Sequence, residues 1–519
     1  MIPMTLTRIA EVVGGTLHDV DDPSVEVSAT VEFDSRRITP GGLFLALPGE
    51  RSDGHDHAAA AVAAGAVAVL AARPVGVPAI VVPAVPRTDT NSLAFEHDTD
   101  GSGAAVLAAL GTLARVVVDE LTATGLTVVG VTGSAGKTST KDLLAAVLAP
   151  LGEVVAPPGS FNNELGHPWT ALRATRATRY LVLEMSARGP GHIAALAAVA
   201  PPRIGVVLNV GTAHLGEFGS QEVIAETKGE LVESLPSTAD GGVAILNADD
   251  PLVAKMATRT GARVVFVGST PSAAVRAENV RLDESARASF TLVVADPEVD
   301  GGRRSVEVML AVHGEHHVGN ALSAAAAALE VGATLDQIAA ALGGAAPVSA
   351  HRMAVRTRAD GVTVIDDAYN ANPDSMRAAL KALVTMARAG DSPRRTFAVL
   401  GEMAELGDEA VVAHDAIGRL AVRLDVTRIV AVGATRPVRG LFQGAVMEGS
   451  WGEEASHVQD ADAAIALLHD ELEPGDIVLV KASQSVGLWS VADAILGAGT
   501  GNTDAAVDTD GAATTEAAQ

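Results

Sequence analysis

The residues best suited to chemistry lie in one short run, Thr132-Gly133-Ser134-Ala135-Gly136-Lys137-Thr138-Ser139. The two glycines permit backbone conformations closed to other residues and let the main chain approach a ligand closely. Lys137 supplies a mobile cation for terminal phosphates, and Thr138 offers a hydroxyl to Mg²⁺. The run therefore predicts a site for a nucleotide phosphate and its metal ion. A glycine turn before an ordinary helix is the alternative.

The elements on either side are those that such a loop needs. Residues 128–131 are mostly β-branched and suit a buried strand, and residues 138–148 suit a helix. The unpaired N–H groups and the positive dipole end of that helix would face the loop. The spacing departs from the standard phosphate loop, in which a glycine is expected at Val131, but the strand–loop–helix context supports the motif.

Composition limits the classes to which the chain can belong. Its 519 residues suggest roughly three or four domains, with cores of Ala, Val and Leu because aromatics make up only 3%. A net charge of -26 argues against a nucleic-acid partner, and the absence of cysteine excludes disulfides and Cys-based zinc sites. Residues 1–15 lack the pattern of a signal peptide, and the apolar run 58–72 is too short to cross a membrane. We therefore expect a cytoplasmic protein without membrane insertion.

We expect three folded units followed by a tail. The first comprises residues 1–118 and includes a polar insertion at 86–103, which lacks apolar periodicity and is predicted to be flexible and dispensable. The central unit, residues 119–346, carries the phosphate loop, and the third, residues 347–497, repeats its α/β pattern without such a loop. Residues 498–519 have the composition of a disordered acidic tail.

Apolar runs separated by helices are typical of parallel sheets covered on both faces. We expect such strands at residues 180–184, 204–208 and 242–246 of the central unit, and at 362–366, 396–401, 428–433 and 476–481 of the third. The alternating patterns at 289–294 and 305–312 predict an antiparallel annex. The fold class is therefore α/β, with a mostly parallel central sheet.

Further polar residues follow these strands, where ligands of parallel sheets bind. Glu184 could hold Mg²⁺ directly or through water, or could simply cap a helix. His214 is suited equally to a metal, to catalysis or to a structural role. Lys228 stands among acidic neighbours, and on that pattern alone an exposed helical lysine is expected.

Two polar segments could contact organic ligands. Asp34-Ser35-Arg36 could hold an anion, or could be a solvated turn. Asp366-Asp367-Ala368-Tyr369-Asn370-Ala371-Asn372-Pro373 follows a strand and precedes a helix, so its side chains could bind a ribose or an amino group, or could serve as caps.

Taken together and in this order, the motifs resemble those of the ATP-dependent Mur ligases of peptidoglycan synthesis. The resemblance spans about residues 5–496, apart from the insertion. Besides the segments already quoted, it rests on Pro40-Gly41, Asp53-Gly54-His55, Phe161-Asn162-Asn163-Glu164-Leu165-Gly166, Glu184-Met185-Ser186, Ala213-His214-Leu215, Lys228-Gly229-Glu230, Asn247-Ala248-Asp249-Asp250, Asn320-Ala321-Leu322, Arg352-Met353 and Leu400-Gly401-Glu402-Met403-Ala404-Glu405-Leu406-Gly407.

The segment Asn370-Ala371-Asn372-Pro373-Asp374-Ser375-Met376 is similar to that of the family branch that adds a dipeptide. Two residues depart from the family pattern. His317 stands where Asn is expected, and Gln484 stands where a basic residue often follows Lys481. Neither departure touches the phosphate loop, Glu184 or Lys228.

The resemblance implies an N-terminal UDP-binding α/β domain, a central P-loop ATPase domain and a C-terminal Rossmann-like domain. It implies ATP and two Mg²⁺ ions as cofactors, and UDP-N-acetylmuramoyl-tripeptide and D-alanyl-D-alanine as substrates joined through an acyl phosphate. It also implies a monomer. The proposed reaction brings two anions together, the peptide carboxylate and the ATP phosphate, so a metal ion and a lysine are needed to offset their repulsion. The acyl phosphate would hydrolyse in water, so the site must exclude water.

The resemblance also assigns roles to individual residues. Those implied in catalysis are Lys137, Glu184, His214 and Lys228, and those implied in metal binding are Thr138, Glu184, His214 and Lys228. The nucleotide contacts are Gly133, Ser134, Ala135, Gly136, Lys137, Thr138, Ser139, Asn320, Arg352, Asp367 and Tyr369. The substrate contacts are Ser35, Arg36, Asn162, Asn163, Asn370 and Asn372. The family carries a carbamylated lysine at the position of Lys228. The resemblance therefore implies that Lys228 is a metal ligand rather than the exposed cation expected from the local pattern.

Two alternatives remain open. One is another ligase of the superfamily, which would add diaminopimelate or lysine, or glutamate to folate. The other, of a different class, is a nucleotide-binding regulator that uses the phosphate loop as a switch; polar strand ends from three units around one cleft argue against it.

Overall fold

The computed structural model describes residues 1–50, 52–85, 95–211, 215–296, 298–299, 301–346, 348–389, 392–449 and 452–497. Over these residues the chain forms three α/β units, each organised around its own β-sheet. No helix in this described part is long and apolar enough to cross a lipid bilayer.

The first unit is a small sheet with helices packed on it. Its elements are β1 (Met4–Thr5), α1 (Leu6–Val13), β2 (Thr16–His18), β3 (Glu26–Val27), β4 (Val31–Glu32), β5 (Gly42–Leu45), α2 (Ala58–Ala63), β6 (Ala66–Ala71), β7 (Ala79–Val81) and α3 (Ser102–Ala123). Strands β4, β5, β6 and β7 are parallel, β2 joins β7 antiparallel, and β1 pairs with β3. Helix α3 buries apolar residues against this sheet and against the central unit.

Two expectations for this region are wrong. The insertion predicted at 86–103 has ordered core contacts in its second half, since Phe95 packs on the core and Asp98 is only 2% exposed. The Asp98 carboxylate accepts hydrogen bonds from the N–H groups of Gly101 (2.9 Å) and Ala104 (2.7 Å) at the start of α3. Residues 86–94 lie outside the described residues. The boundary expected at 118/119 falls inside α3, because both neighbouring units bury this helix.

The central unit carries the largest sheet. Its elements are β8 (Thr127–Thr132), α4 (Lys137–Leu148), β9 (Glu153–Val155), α5 (Gly166–Ala171), β10 (Thr178–Glu184), α6 (His192–Val199), β11 (Ile204–Val207), α7 (Leu215–Phe218), α8 (Gln221–Glu233), β12 (Val243–Asn247), α9 (Pro251–Lys255), β13 (Arg263–Gly268), β14 (Val275–Leu282), β15 (Arg287–Ala295), β16 (Arg303–His313), α10 (His317–Glu330) and α11 (Leu335–Gly344).

Within the described residues, the sheet order is β9-β10-β8-β11-β12-β13-β14-β15-β16. Pairings from β9 to β14 are parallel, and β14, β15 and β16 pair antiparallel. The predicted annex is therefore confirmed, and it continues the parallel sheet. Because β8 lies between β10 and β11, the ends of these three strands surround the phosphate loop, as expected for a parallel sheet.

The third unit is a second, smaller α/β sheet. Its elements are β17 (Ala354–Thr357), β18 (Thr363–Asp366), α12 (Pro373–Arg388), β19 (Thr396–Leu400), α13 (Ala410–Arg423), β20 (Arg428–Val432), α14 (Arg436–Glu448), β21 (Ala455–Val458), α15 (Ala461–Glu471), β22 (Ile477–Lys481) and α16 (Trp489–Gly497). The order is β17-β18-β22-β19-β20-β21, with β17 antiparallel to β18 and the remaining pairs parallel. The four predicted strands are confirmed, whereas the edge strands β17 and β21 were not foreseen.

An aromatic contact joins the first two units. The rings of Phe33 and Phe161 lie 5.9 Å and 4.8 Å, centroid to centroid, from that of Trp169. The Trp169 indole N–H donates to the Val31 carbonyl at 2.8 Å, and the Arg173 guanidinium lies over the indole. Phe33 and Val31 belong to the first unit and the other residues to the central one. This cluster, built around the buried Trp169, therefore fixes the two units against each other.

Candidate active site at the phosphate loop

The phosphate loop has the backbone shape that its glycines predict. Gly136 has φ 84°, a left-handed conformation, and a Cβ there would lie 2.7 Å from the Asn320 side-chain oxygen. Lys137 begins α4, and its ammonium donates to the Gly133 carbonyl at 2.8 Å. The loop is therefore folded around its own lysine, with Asn320 of α10 against it.

A strand-end amide holds the other side of this loop. Asn209, after β11, accepts from the Ala135 N–H at 2.9 Å and donates to the Ala135 carbonyl at 3.0 Å. Ser134 Oγ accepts from the Gly211 N–H at 2.9 Å. The motifs did not indicate Asn209, although a polar residue directly after a strand beside the loop was the available signal.

Glu184 lies at the end of β10, fully buried beside Thr138. Its Oε2 is 3.3 Å from the Thr138 hydroxyl and 3.3 Å from the Asn162 amide nitrogen. Its Oε1 is also buried and has no hydrogen-bond partner among the described residues. A buried carboxylate with one open oxygen next to a threonine hydroxyl has the oxygen ligands that Mg²⁺ prefers.

Ser160 is a member of this cluster that the motifs did not indicate. Its hydroxyl lies 3.3 Å from Glu184 Oε2 and 2.9 Å from the Asn162 amide nitrogen. Ser160 also lies close enough to Tyr369 of the third unit to lower the pKa of its hydroxyl, against the larger effect of burial, which raises it. The signal available in the sequence was weak: a hydroxyl two residues before Asn162 in a Pro-Gly-Ser loop.

Lys228 is buried, with 4% of its surface exposed, so the exposed lysine predicted from pattern alone is wrong. Helix α8 turns this position inward together with Thr227 and Leu231. The described residues offer the Lys228 ammonium no hydrogen bond or ion pair. Burial, and after it the positive charge of Lys137, lower the pKa of Lys228 well below its ordinary value. A neutral amine is therefore favoured at this position.

Burial also lowers the pKa of Lys137. The carboxylate of Glu184 opposes this shift, the guanidinium of Arg352 adds to it, and Glu405 opposes it more weakly. Lys137 and Arg352 thus share a site with one fully buried carboxylate, Glu184, while the neutral amine favoured at Lys228 adds no charge. Such a site favours an incoming anion.

The third unit contributes side chains to the same cleft. The Arg352 guanidinium lies 4.2 Å from the centre of the Tyr369 ring, and burial raises the pKa of the Tyr369 hydroxyl. Asp367 behaves differently, because its carboxylate binds Lys481 at 2.6 Å and the Met353 N–H at 3.1 Å. Asp367 therefore holds the loop that presents Tyr369.

A cavity lies between α4 and the start of the third unit. It is lined by Ser139, Asp142, His317, Ser349, Arg352 and Met353, among others. His317 Nδ1 is 3.3 Å from the Asn320 amide nitrogen, so the ring accepts this hydrogen bond, and burial lowers its pKa. The departure at His317 thus keeps Asn320 directed at the phosphate loop. Gln484 begins a short 3₁₀ turn after β22.

The other expected site residues lie elsewhere or serve the fold. Arg36 is 83% exposed at its side chain and binds Asp34 beside Ser35. Asn163 accepts from the Gly166 N–H at the start of α5, and Asn372 caps α12. Asn370 is exposed, with its side chain bonded to the Ala371 N–H. His214 lies outside the described residues.

Family profiles match the chain over most of its length. The profile of the Mur ligase family catalytic domain matches residues 29–115, that of the Mur ligase middle domain residues 131–328, and that of the Mur ligase glutamate ligase domain residues 351–484.

Full-length relatives agree with these profiles. The UDP-N-acetylmuramoyl-tripeptide--D-alanyl-D-alanine ligase of Mycobacterium tuberculosis strain H37Rv is 62% identical, covering 96% of this chain and 98% of that protein. The ligase of the same name from Escherichia coli K12 is 35% identical over 96% of this chain and all of that protein.

Solved structures give the same result. MurF from Acinetobacter baumannii aligns with a TM-score of 0.77 at 29% identity, covering 95% of this chain and 99% of that one. MurF from Thermotoga maritima in complex with ADP aligns with a TM-score of 0.70 at 27% identity, covering 91% and 98%. Consecutive family profiles and near-complete alignment with such relatives show that the chain belongs to the Mur ligase family.

Proposed function

We propose that this protein joins D-alanyl-D-alanine to UDP-N-acetylmuramoyl-tripeptide, with ATP converted to ADP and phosphate. The observation that carries the proposal is the cluster of Lys137 with the buried Thr138 and Glu184 at the phosphate loop, beneath side chains of the third unit. The name shared by the relatives supports the choice of substrates.

The reaction balances in two steps. An oxygen of the tripeptide carboxylate forms a bond to the γ-phosphorus of ATP while the bond to the β-phosphate oxygen breaks, and ADP leaves. The amine nitrogen of D-alanyl-D-alanine then bonds to the acyl carbon while the acyl carbon–oxygen bond to phosphate breaks. The nitrogen loses one of its two protons to the leaving phosphate, which departs as hydrogen phosphate.

The residues of the cluster have separate tasks in this proposal. Lys137 binds the terminal phosphate and offsets the repulsion between phosphate and carboxylate. Thr138 and the open oxygen of Glu184 would hold Mg²⁺, which supplies charge neutralisation for the phosphates when bound. Asn162 and Ser160 hold the other oxygen of Glu184 and so orient its carboxylate.

Lys228 is proposed to act as a carbamate. The neutral amine nitrogen would attack the carbon of CO₂ and lose a proton, which leaves a carboxylate-like anion at the end of the side chain. Its two oxygens would be suited to Mg²⁺, whereas an ammonium beside Lys137 would repel the metal. The burial of Lys228 and its lowered pKa support this role.

The third unit is proposed to complete the site. Arg352 and Tyr369 lie close enough to Lys137 and Glu184 to interact electrostatically with them, and they cover the cleft from the opposite side. Roles in substrate binding stay predictions for Ser35, Arg36, Asn162, Asn163, Asn370 and Asn372. The catalytic and metal-binding roles of His214 also stay predictions. So do the monomeric state, the cytoplasmic location and the lack of a nucleic-acid partner.

The test is release of phosphate in the presence of ATP, Mg²⁺ and UDP-N-acetylmuramoyl-tripeptide, with and without D-alanyl-D-alanine. Release that depends on both substrates, with one amide formed per phosphate, is expected. Diaminopimelate or lysine with the corresponding UDP-dipeptide, or glutamate with folate, provides the comparison reactions. Turnover with one of these instead would indicate another ligase, and ATP turnover indifferent to all acceptors would indicate a nucleotide-driven regulator.

A further inference from the structure

The third unit meets the central unit at a second place, just beyond the end of β10. Arg188 follows Glu184 by four residues, and 22% of its side chain is exposed. Its guanidinium binds the carboxylate of Glu405 in the third unit and lies 3.4 Å from Glu217 of α7 in the central unit. One arginine thus binds a carboxylate from each side of the boundary. It does so four residues after Glu184, close to the end of β10.

The loop that carries Glu405, residues 401–407, is fixed by its own unit. His414 Nε2 accepts from the Met403 N–H at 2.8 Å, and Ser483 Oγ accepts from the Ala404 N–H at 2.9 Å. Glu405 itself has φ 64°, a left-handed conformation that is disfavoured for residues other than glycine. The loop is therefore held in a strained shape that places one carboxylate at the boundary.

Two glycines form a backbone contact beside this ion pair. A Cβ on Gly216 of α7 would lie 2.6 Å from the Gly407 nitrogen, and a Cβ on Gly407 would lie 2.7 Å from the Gly216 Cα. A real Cβ does not approach other atoms so closely, so neither position has room for a side chain. The two backbones can meet in this way only because both residues are glycine.

We propose that Arg188 is a positioning residue that holds the third unit closed over the phosphate loop by binding Glu405 and Glu217, with the Gly216–Gly407 contact setting the closed distance. The role in the reaction rests on the proposed function. A closed cleft keeps water from the acyl phosphate until the amine arrives, so loss of Arg188 should release phosphate without forming an amide.

A distance measurement tests the closure without reference to activity. Because the chain has no cysteine, Glu222→Cys in the central unit and Lys381→Cys in the third, both at exposed positions, can be labelled with a fluorescent donor and acceptor. With the non-hydrolysable analogue AMP-PNP, the parent should give one narrow distance distribution. Arg188→Ala and Gly216→Ala should each shift it or broaden it.

Matched controls separate the proposal from general loss of packing. Arg428 binds both oxygens of Glu471 within the third unit, at 2.7 Å and 2.8 Å, and is 19% exposed at its side chain. Arg428→Ala should leave the distance distribution unchanged. Gly261→Ala is the control for Gly216→Ala, because a Cβ at Gly261 would have no atom within 4 Å among the described residues.

The second measurement is the ratio of phosphate released to amide formed. Arg188→Ala should lower the ligation kcat about tenfold and raise this ratio well above that of the parent, and Arg188→Lys should recover part of both losses. Arg428→Ala should keep the parent ratio. An unchanged distance distribution in Arg188→Ala, or a ratio equal to that of Arg428→Ala, would overturn the proposal. If the parent forms no amide, the proposed function fails, while the distance measurement still decides the role of Arg188.

Discussion

Lys228 in the central unit and Lys481 in the third are buried to nearly the same extent, with 4% and 2% of their surfaces exposed. Lys481 has a full set of partners, with Asp367 at 2.6 Å and the Asn370 carbonyl at 2.8 Å. Lys228 has neither a hydrogen bond nor an ion pair among the described residues. Its main charged neighbour, Lys137, has the same sign.

This difference in partners distinguishes a lysine that stabilises the fold from a lysine in a site that binds ligands. A buried charge is tolerated when it is paired and is costly when it is alone, so the third unit uses Lys481 as part of its framework. Among the described residues of the central unit, the Lys228 amine and one oxygen of Glu184 have no partner, and Lys137 donates only to the Gly133 carbonyl. This arrangement is expected where phosphate, a metal ion and CO₂ bind.

The strongest test of this comparison is Lys137→Ala. We expect ligation to fall by roughly 10²–10³-fold or more, because the cation that offsets phosphate repulsion is lost. The measurement is amide formation at saturating ATP, with the thermal unfolding midpoint as a check on the fold. Lys255→Ala, at an exposed lysine of α9, is the control. Near-normal turnover in Lys137→Ala would remove this lysine from the reaction.

The next largest effect is expected for Lys228→Ala. Ligation should fall roughly 100-fold, and added acetate or formate should restore part of it by supplying the missing carboxylate oxygens. Lys137→Ala should gain nothing from the same additives. Lys228→Glu is not expected to rescue, since its side chain is shorter than carbamyl-lysine. Wild-type activity in Lys228→Ala without any additive would contradict the carbamate.

Replacing each buried lysine by methionine should change stability in opposite directions. Lys481→Met leaves the Asp367 carboxylate buried without its partner, and we expect a loss of about 3–5 kcal/mol in the free energy of unfolding. Lys228→Met removes an amine for which the described residues provide no partner, and stability should be equal or higher by roughly 1 kcal/mol. Denaturant unfolding of the full chain, followed by Trp fluorescence, measures both. Equal losses in the two variants would refute the comparison.

The smallest expected effect is a dependence of stability on pH at His351. The hydrogen bond to Asp366, at 2.7 Å, raises the pKa of His351 above its ordinary value. The stabilisation is therefore complete below the unfolded-state pKa of about 6.5 and is lost as the pH rises through the higher folded-state pKa.

The variant His351→Gln isolates this contribution. We expect it to be less stable than the parent at pH 5.5, by about 1 kcal/mol or less because the pair is partly exposed, and to differ less at pH 8.5. The left-handed backbone at His351, with φ 56°, strains glutamine equally at both pH values. A difference that does not change with pH would show that the ion pair contributes nothing.

Much of this arrangement follows from local sequence. Continuous apolar strands predicted the parallel sheets, and the residues directly after them predicted that Glu184 and the phosphate loop would meet. The edge strands β17 and β21 were missed because each contains only two apolar residues, an alanine and a valine, too few to form an apolar run. The boundary between the first and central units was misplaced because α3 packs against both units and has no break in its sequence pattern.

The pairing of buried charges could not be derived from sequence. Lys228 sits among acidic residues and has the pattern of a solvated helix, and only the packing of α8 turns it inward. The contact of Arg188 with Glu405 joins residues more than two hundred positions apart, and no local sequence pattern predicts it. The family resemblance implied the proposed role of Lys228, and the burial of this side chain explains why a neutral amine is favoured there.

The aromatic contact between Phe33, Phe161 and Trp169 has a consequence for how solution conditions act on the molecule. The first unit is attached through buried apolar surface, whereas the contacts that hold the third unit include the ionised groups of Arg188, Glu405 and Glu217. Dissolved salt screens charges and does not weaken apolar contacts. Raising the ionic strength should therefore loosen the third unit selectively while the first two remain joined. The extent to which the third unit separates from the central unit should therefore increase gradually with salt concentration.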